Sequence, residues 1–80
     1  METKATKTDT IALQKVMIDR GFRTITSLAK RSGVNRNTLG QIINGQVQPS
    51  YDVMMKLVIT LELSETQAGC IFFAPDLRGM

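Results

Sequence analysis

Between Thr24 and Gly45 the chain reads TITSLAKRSGVNRNTLGQIING, and the spacing of its small and apolar residues admits few folds. Counted from Ile25, Leu28 and Ala29 fall fourth and fifth, Gly33 and Val34 ninth and tenth, and Leu39 and Ile42 fifteenth and eighteenth. Two short helices meeting at a sharp corner require this order. Leu28, Val34, Leu39 and Ile42 then point into the corner, and Ala29 is small enough for the second helix to cross close to it. Gly33 can take the left-handed backbone conformation that ends a helix abruptly. Asn35 can accept hydrogen bonds from the free N–H groups that open the next helix. The pattern predicts a helix-turn-helix.

The flanking sequence predicts three more helices. Asp9 or Thr10 caps a first helix running to about Arg20, stopped by Gly21, with Ala12, Leu13, Val16 and Met17 on one apolar face. Ile11 and Ile18 lie on another side, facing either the last helix, a partner subunit or solvent. Phe22 is expected to plug the core. Ser50 caps a fourth helix, in which Met54, Leu57, Val58 and Leu61 form an i, i+3, i+4, i+7 stripe beside a weaker Met55/Ile59 stripe. Ser64 and Gln67 fit a capping box for a fifth helix, which Pro75 stops. That last helix carries Ala68, Cys70, Ile71, Phe72 and Phe73, more apolar residues than one core face needs. Cys70 reads as a small buried hydrophobe. The expected organisation is a polar, mobile arm over 1–8, a helical domain over 9–75 and a frayed end over 76–80.

The second helix of the corner carries the distinctive surface. Leu39, Ile42 and Ile43 take its buried side, leaving Arg36, Asn37, Thr38, Gly40 and Gln41 outside. Soluble helix faces favour Glu and Lys. This one has neither, and Asn and Thr are poor helix formers. The set is rich in donors and acceptors that match base edges: Arg pairs with guanine O6/N7, Asn or Gln with adenine N6/N7, and Thr with a thymine methyl or a phosphate. Gly40 costs about 1 kcal/mol relative to Ala in mid-helix. A close approach either to nucleic acid or to the preceding helix would account for it. Arg23 and Thr24 stand at the start of the first corner helix, whose N–H groups and dipole suit a phosphate.

Composition narrows the alternatives. Eighty residues with ten basic and seven acidic side chains give one small domain of net charge +3, which permits nucleic-acid binding without demanding it. A single cysteine excludes an internal disulfide and suits a reducing cytoplasm. The absence of histidine and of any cysteine cluster argues against a zinc site, and no cofactor or small-molecule ligand is expected. No apolar run is long enough to span a membrane, and no signal peptide is recognisable. Phe22, Tyr51, Phe72 and Phe73 are too few for single-strand stacking platforms. Without histidine, a convincing acid pair or a nucleophile beside a base, the chain does not read as an enzyme.

The stretch from Thr24 to Gly45 resembles the helix-turn-helix of the lambda-repressor and Cro family of regulators. The resemblance extends through Asn44-Gly45, Pro49-Ser50, Leu57/Val58/Leu61 and Leu63-Ser64, over roughly residues 10 to 74. The ending IFFAPDL is similar to small Cro-like proteins of temperate phages from Gram-positive bacteria. The resemblance implies an all-α, five-helix bundle whose second and third helices form the helix-turn-helix. It implies a transcriptional regulator that binds double-stranded DNA at a palindromic operator as a homodimer, of Cro or short-repressor type in phage lysis–lysogeny control, in the host cytoplasm at the nucleoid.

On that reading Arg36, Asn37, Thr38 and Gln41 read bases, and Arg23, Thr24, Thr26, Asn35, Asn44, Gln46 and Gln48 face phosphates, although Asn44, Gln46 and Gln48 equally fit a plain helix end and turn. Ile71, Phe72 and Phe73 would form the dimer contact, or the same residues could close the monomer core. The family often has glutamine as the first residue of helix two, where this chain has Ile25, so that Thr24 or Thr26 must replace its backbone contact or the contact is absent. With no room for a sensor domain, control would come from concentration, operator competition or a partner protein. A second reading is an antitoxin or antirepressor that keeps the fold but works on another protein, through the N-terminal arm or the Ile11/Ile18 stripe.

Overall fold

The computed structural model describes residues 6–75, and the expectations for residues 1–5, Lys4 among them, and for the end at 76–80 lie outside these. Five helices follow one another: α1 Thr10–Asp19, α2 Ile25–Ser32, α3 Arg36–Ile43, α4 Tyr51–Leu61 and α5 Glu65–Phe72. Each begins where a short polar side chain can replace a missing helical acceptor. Asp9 accepts from Ala12 N–H, Thr24 from Ser27, Asn35 from Asn37 and Thr38, Ser50 from Val53, and Ser64 from Gln67. The capping box is closed by the Ser64 N–H, which donates to Gln67 Oε1 at 3.0 Å.

The helix ends are equally local. Gly33 lies at φ 80° and ends α2 in the left-handed conformation that the corner demands. Gly21 ends α1 at φ 92°, where its N–H donates to Ile18 and Phe22 N–H donates to Met17. At the end of α4 the left-handed residue is Glu62, φ 55°, where no glycine is available. Arg20 compensates: its Nε donates to the Leu61 carbonyl at 2.8 Å, and an Nη donates to that of Glu62 at 3.4 Å. A cation on terminal carbonyls also suits the negative end of the helix dipole. This contact joins the ends of α1 and α4.

Helix α3 packs on α2 and α1, α2 also packs on α4, and α1 packs on α5. Leu28, Val34, Leu39 and Ile42 all lie buried in one cluster with Leu13, Met17, Leu57, Leu61, Ile71 and Phe72. The corner is therefore the middle of the core. Phe22 and Ala29 pack against it, partly buried. Ile11, Ile18 and Ile59 are exposed.

Two expectations are corrected, and one alternative is decided. Residues 6–8 are not part of a free arm: Thr6–Lys7 (β1) pairs antiparallel with Ala74–Pro75 (β2), and Thr8 is buried. Two-residue strands leave the architecture helical, but they fix the start of the domain to its end. Cys70 is exposed, because α5 turns that side outward. Of the residues assigned either to a dimer contact or to the monomer core, Ile71 and Phe72 are 3% and 0% exposed and belong to the core of this chain, while Phe73 remains 52% exposed.

Candidate nucleic-acid interface

Helix α3 has eight residues, and their angular order separates what it buries from what it shows. At about 100° per residue, Leu39, Ile42 and Ile43 fall within an arc of about 100°. These three are buried. Arg36, Gly40, Asn44, Asn37 and Gln41 fall in that order within a separate arc of about 140°. Arg36, Asn37, Gln41 and Asn44 are exposed along it, and Gly40 is half-buried. Thr38 sits between the two arcs and is half-buried. Of the four expected base readers, three thus share one open face and Thr38 stands at its border.

The face continues beyond the helix. A shallow groove of about 270 Å³ is lined by Arg36, Asn37, Gly40, Gln41, Asn44 and Gln46, together with Ile25 from the start of α2. Ile25 closes the groove with an apolar wall and also packs on the core, so one side chain serves both. A Cβ placed on Gly40 would meet no atom within 4 Å beyond the adjoining residues and the backbone of its own helix. Close packing against α2 therefore does not explain the glycine, which leaves the open face as the side on which a missing side chain matters.

The groove is rimmed by the ends of helices. Asn35 Oδ1 accepts from Asn37 N–H at 2.8 Å and Thr38 N–H at 3.2 Å, which fixes the first turn of α3. This cap uses only the oxygen, and the amide nitrogen keeps its donors for an anion. Thr24 Oγ1 accepts from Ser27 N–H at 3.1 Å while its own proton can still be donated. Arg23, Thr24 and Thr26 are all exposed around the start of α2. At the other end of α3, the Gly45 and Gln46 N–H groups donate back to Ile42 and Gln41. That closure places the exposed Asn44 and Gln46 side by side on the way out of the helix.

Gln48 is exposed, and its side chain is bonded within the chain. Its amide is engaged at both ends, with the Thr8 hydroxyl and with the Phe72 carbonyl. Neither partner was legible from spacing, since they lie forty and twenty-four positions away. Among the described residues there is no group of three or more acidic, cysteine or histidine side chains able to hold a metal ion. No helix there is long and apolar enough to cross a membrane.

Residues 12–67 match the family model of the Cro/C1-type HTH DNA-binding domain, which covers more than half of the chain. No curated protein and no solved structure matches.

Proposed function

Since this chain belongs to the Cro/C1-type helix-turn-helix DNA-binding domains, and is a DNA-binding regulator on that ground, we propose that it reads a specific palindromic operator in double-stranded DNA as a homodimer. The observation that carries this reading is the face of α3. It is open, it contains no carboxylate, and its side chains match base edges. Arg36, Asn37 and Gln41 choose bases from the major groove, and Thr38 contributes from the border of the face. Arg23, Thr24, Thr26, Asn35, Asn44 and Gln46 hold phosphates on either side, which sets register and supplies affinity that salt erodes. Two copies would place their recognition helices about 34 Å apart, one turn of the duplex. Phe73 and the exposed isoleucines of α1 are among the exposed apolar groups that can form the contact between copies. The biological role is that of a Cro-type or short repressor in a phage switch.

Selection of bound duplexes from a random pool tests the proposal. Enrichment of a palindrome with half-sites one helical turn apart is expected. On that sequence, Arg36→Ala should cost about 1–3 kcal/mol and relax one base position. Equal weakening on every sequence would reassign Arg36 to phosphate. An unenriched pool would overturn operator reading and favour the antitoxin or antirepressor class.

A further inference from the structure

The loop that leaves the recognition helix borders a cleft of about 440 Å³, lined by Lys7, Thr8 and Thr10 around the start of α1 and by Asn44, Gln46 and Gln48 after α3. Gln48 spans it. Its Oε1 accepts from Thr8 Oγ1 at 3.0 Å, and its Nε2 donates to the Phe72 carbonyl at 2.6 Å. Both anchors are rigid. Phe72 is fully buried, and Thr8 is 6% exposed. On either side of Thr8 the backbone is held, by the pairing of Lys7 with Ala74 and by Asp9 N–H donating to the Ile71 carbonyl at 2.6 Å. A hydroxyl this buried needs an acceptor. Gln48 provides it while offering its nitrogen to a carbonyl at the end of α5.

The loop is therefore fixed from two directions. The closure of α3 holds Gly45 and Gln46 from the helix side, and the Gln48 amide holds the far side. We propose that Gln48 and Thr8 are positioning residues for the DNA-backbone contacts of Asn44 and Gln46, acting through the loop without touching DNA. This rests on the DNA reading above. It gives the N-terminal segment a role in affinity that is separate from base choice.

The test uses Thr8→Val, which keeps the shape and removes the hydroxyl, and Thr8→Ser, which keeps the hydroxyl. Each is made in the full chain and in a Gln46→Ala background, and thermal melts verify folding. Thr8→Val should speed amide hydrogen exchange at Gln46 and Val47 and weaken operator binding about five- to tenfold, the scale of one uncharged hydrogen bond. The ranking of base substitutions in the operator and the salt slope should stay as in the parent, because the affected contacts are uncharged and read no bases. Thr8→Ser should restore both readouts. In the Gln46→Ala background Thr8→Val should have a markedly smaller effect, since residues acting through one another are not additive. Unchanged exchange and binding in Thr8→Val, or full additivity with Gln46→Ala, would overturn the proposal. If the parent protein selects no operator, the DNA reading fails by itself. The exchange measurement then still decides whether the amide holds the loop, and unchanged rates overturn the tether.

Discussion

Gly40→Ala separates two accounts of the glycine in the middle of α3. In an isolated helix the replacement is favourable by about 1 kcal/mol, because alanine has less backbone freedom to lose. That gain survives here only if the new methyl group fits. It does: beyond the adjoining residues and the backbone of its own helix, nothing lies within 4 Å of the added Cβ, and the backbone at Gly40 is not in the left-handed region. The expected result is stabilisation by about 1 kcal/mol, which raises the melting temperature of a domain this size by about 4–8 °C. Urea unfolding followed by circular dichroism, with an unchanged m-value, would measure it. DNA binding should move the other way. Gly40 lies between Arg36 and Asn44 on the arc that lines the groove. A methyl group there holds the helix off the DNA and should weaken operator binding about tenfold or more, the effect of small misplacements on directional contacts. A variant that is more stable and binds equally well would show that no close approach occurs at Gly40. A variant that is less stable would refute the packing argument itself.

Other perturbations test the remaining structure. Glu62→Gly should stabilise by about 0.5–1 kcal/mol: relief of roughly 1–2 kcal/mol of left-handed strain, less the extra entropy of glycine in the unfolded chain. Destabilisation in a thermal melt would mean that the Glu62 side chain contributes more than its backbone costs. Asn35→Ala should cost about 1 kcal/mol by removing the α3 cap, whereas Asn35→Asp should retain stability and weaken DNA binding, its charge favouring the helix N-terminus but repelling phosphate. Equal binding by Asn35→Asp would remove Asn35 from the phosphate set. Ile71→Ala should destabilise the folded chain by about 2–5 kcal/mol, while Phe73→Ser should stay within about 0.5 kcal/mol. If sedimentation shows Phe73→Ser to be as dimeric as the parent, the contact between copies lies elsewhere.

How far the fold could be read depended on the range of the interaction. The corner was legible because Leu28, Ala29, Gly33, Val34, Leu39 and Ile42 act within one short segment, and period and glycine geometry specify them together. The caps at Asn35, Ser50 and Ser64 were legible for the same reason, each bonding an N–H no more than three residues on. Helix α5 was not. Its apolar residues occupy several sides, and periodicity marks a face without saying what covers it. The core takes Ile71 and Phe72, which leaves Cys70 and Phe73 outside. Nor could spacing show that Arg20 closes the end of α4 from forty-one residues away.

The same limit runs through the candidate site and divides its residues by type. A candidate recognition face can be picked out from what a helix lacks. Arg36, Asn37 and Gln41 stood out because an ordinary solvated face would hold Glu and Lys, and that argument needs only the eight residues of α3. Phosphate-facing residues carry no such signature. A neutral polar side chain in a loop serves DNA, solvent or the protein's own backbone equally well by composition, and only its neighbours decide. Asn44 and Gln46 open onto the groove, whereas Gln48, two residues further, is taken by Thr8 and Phe72. The difference arises because Thr6–Lys7 pairs with Ala74–Pro75 and sets Thr8 beside the loop, a pairing that no local pattern announces. A polar residue near a recognition helix therefore cannot be assigned to DNA until the donors and acceptors of the surrounding core have been satisfied. In this fold, that requirement reaches Gln48 first.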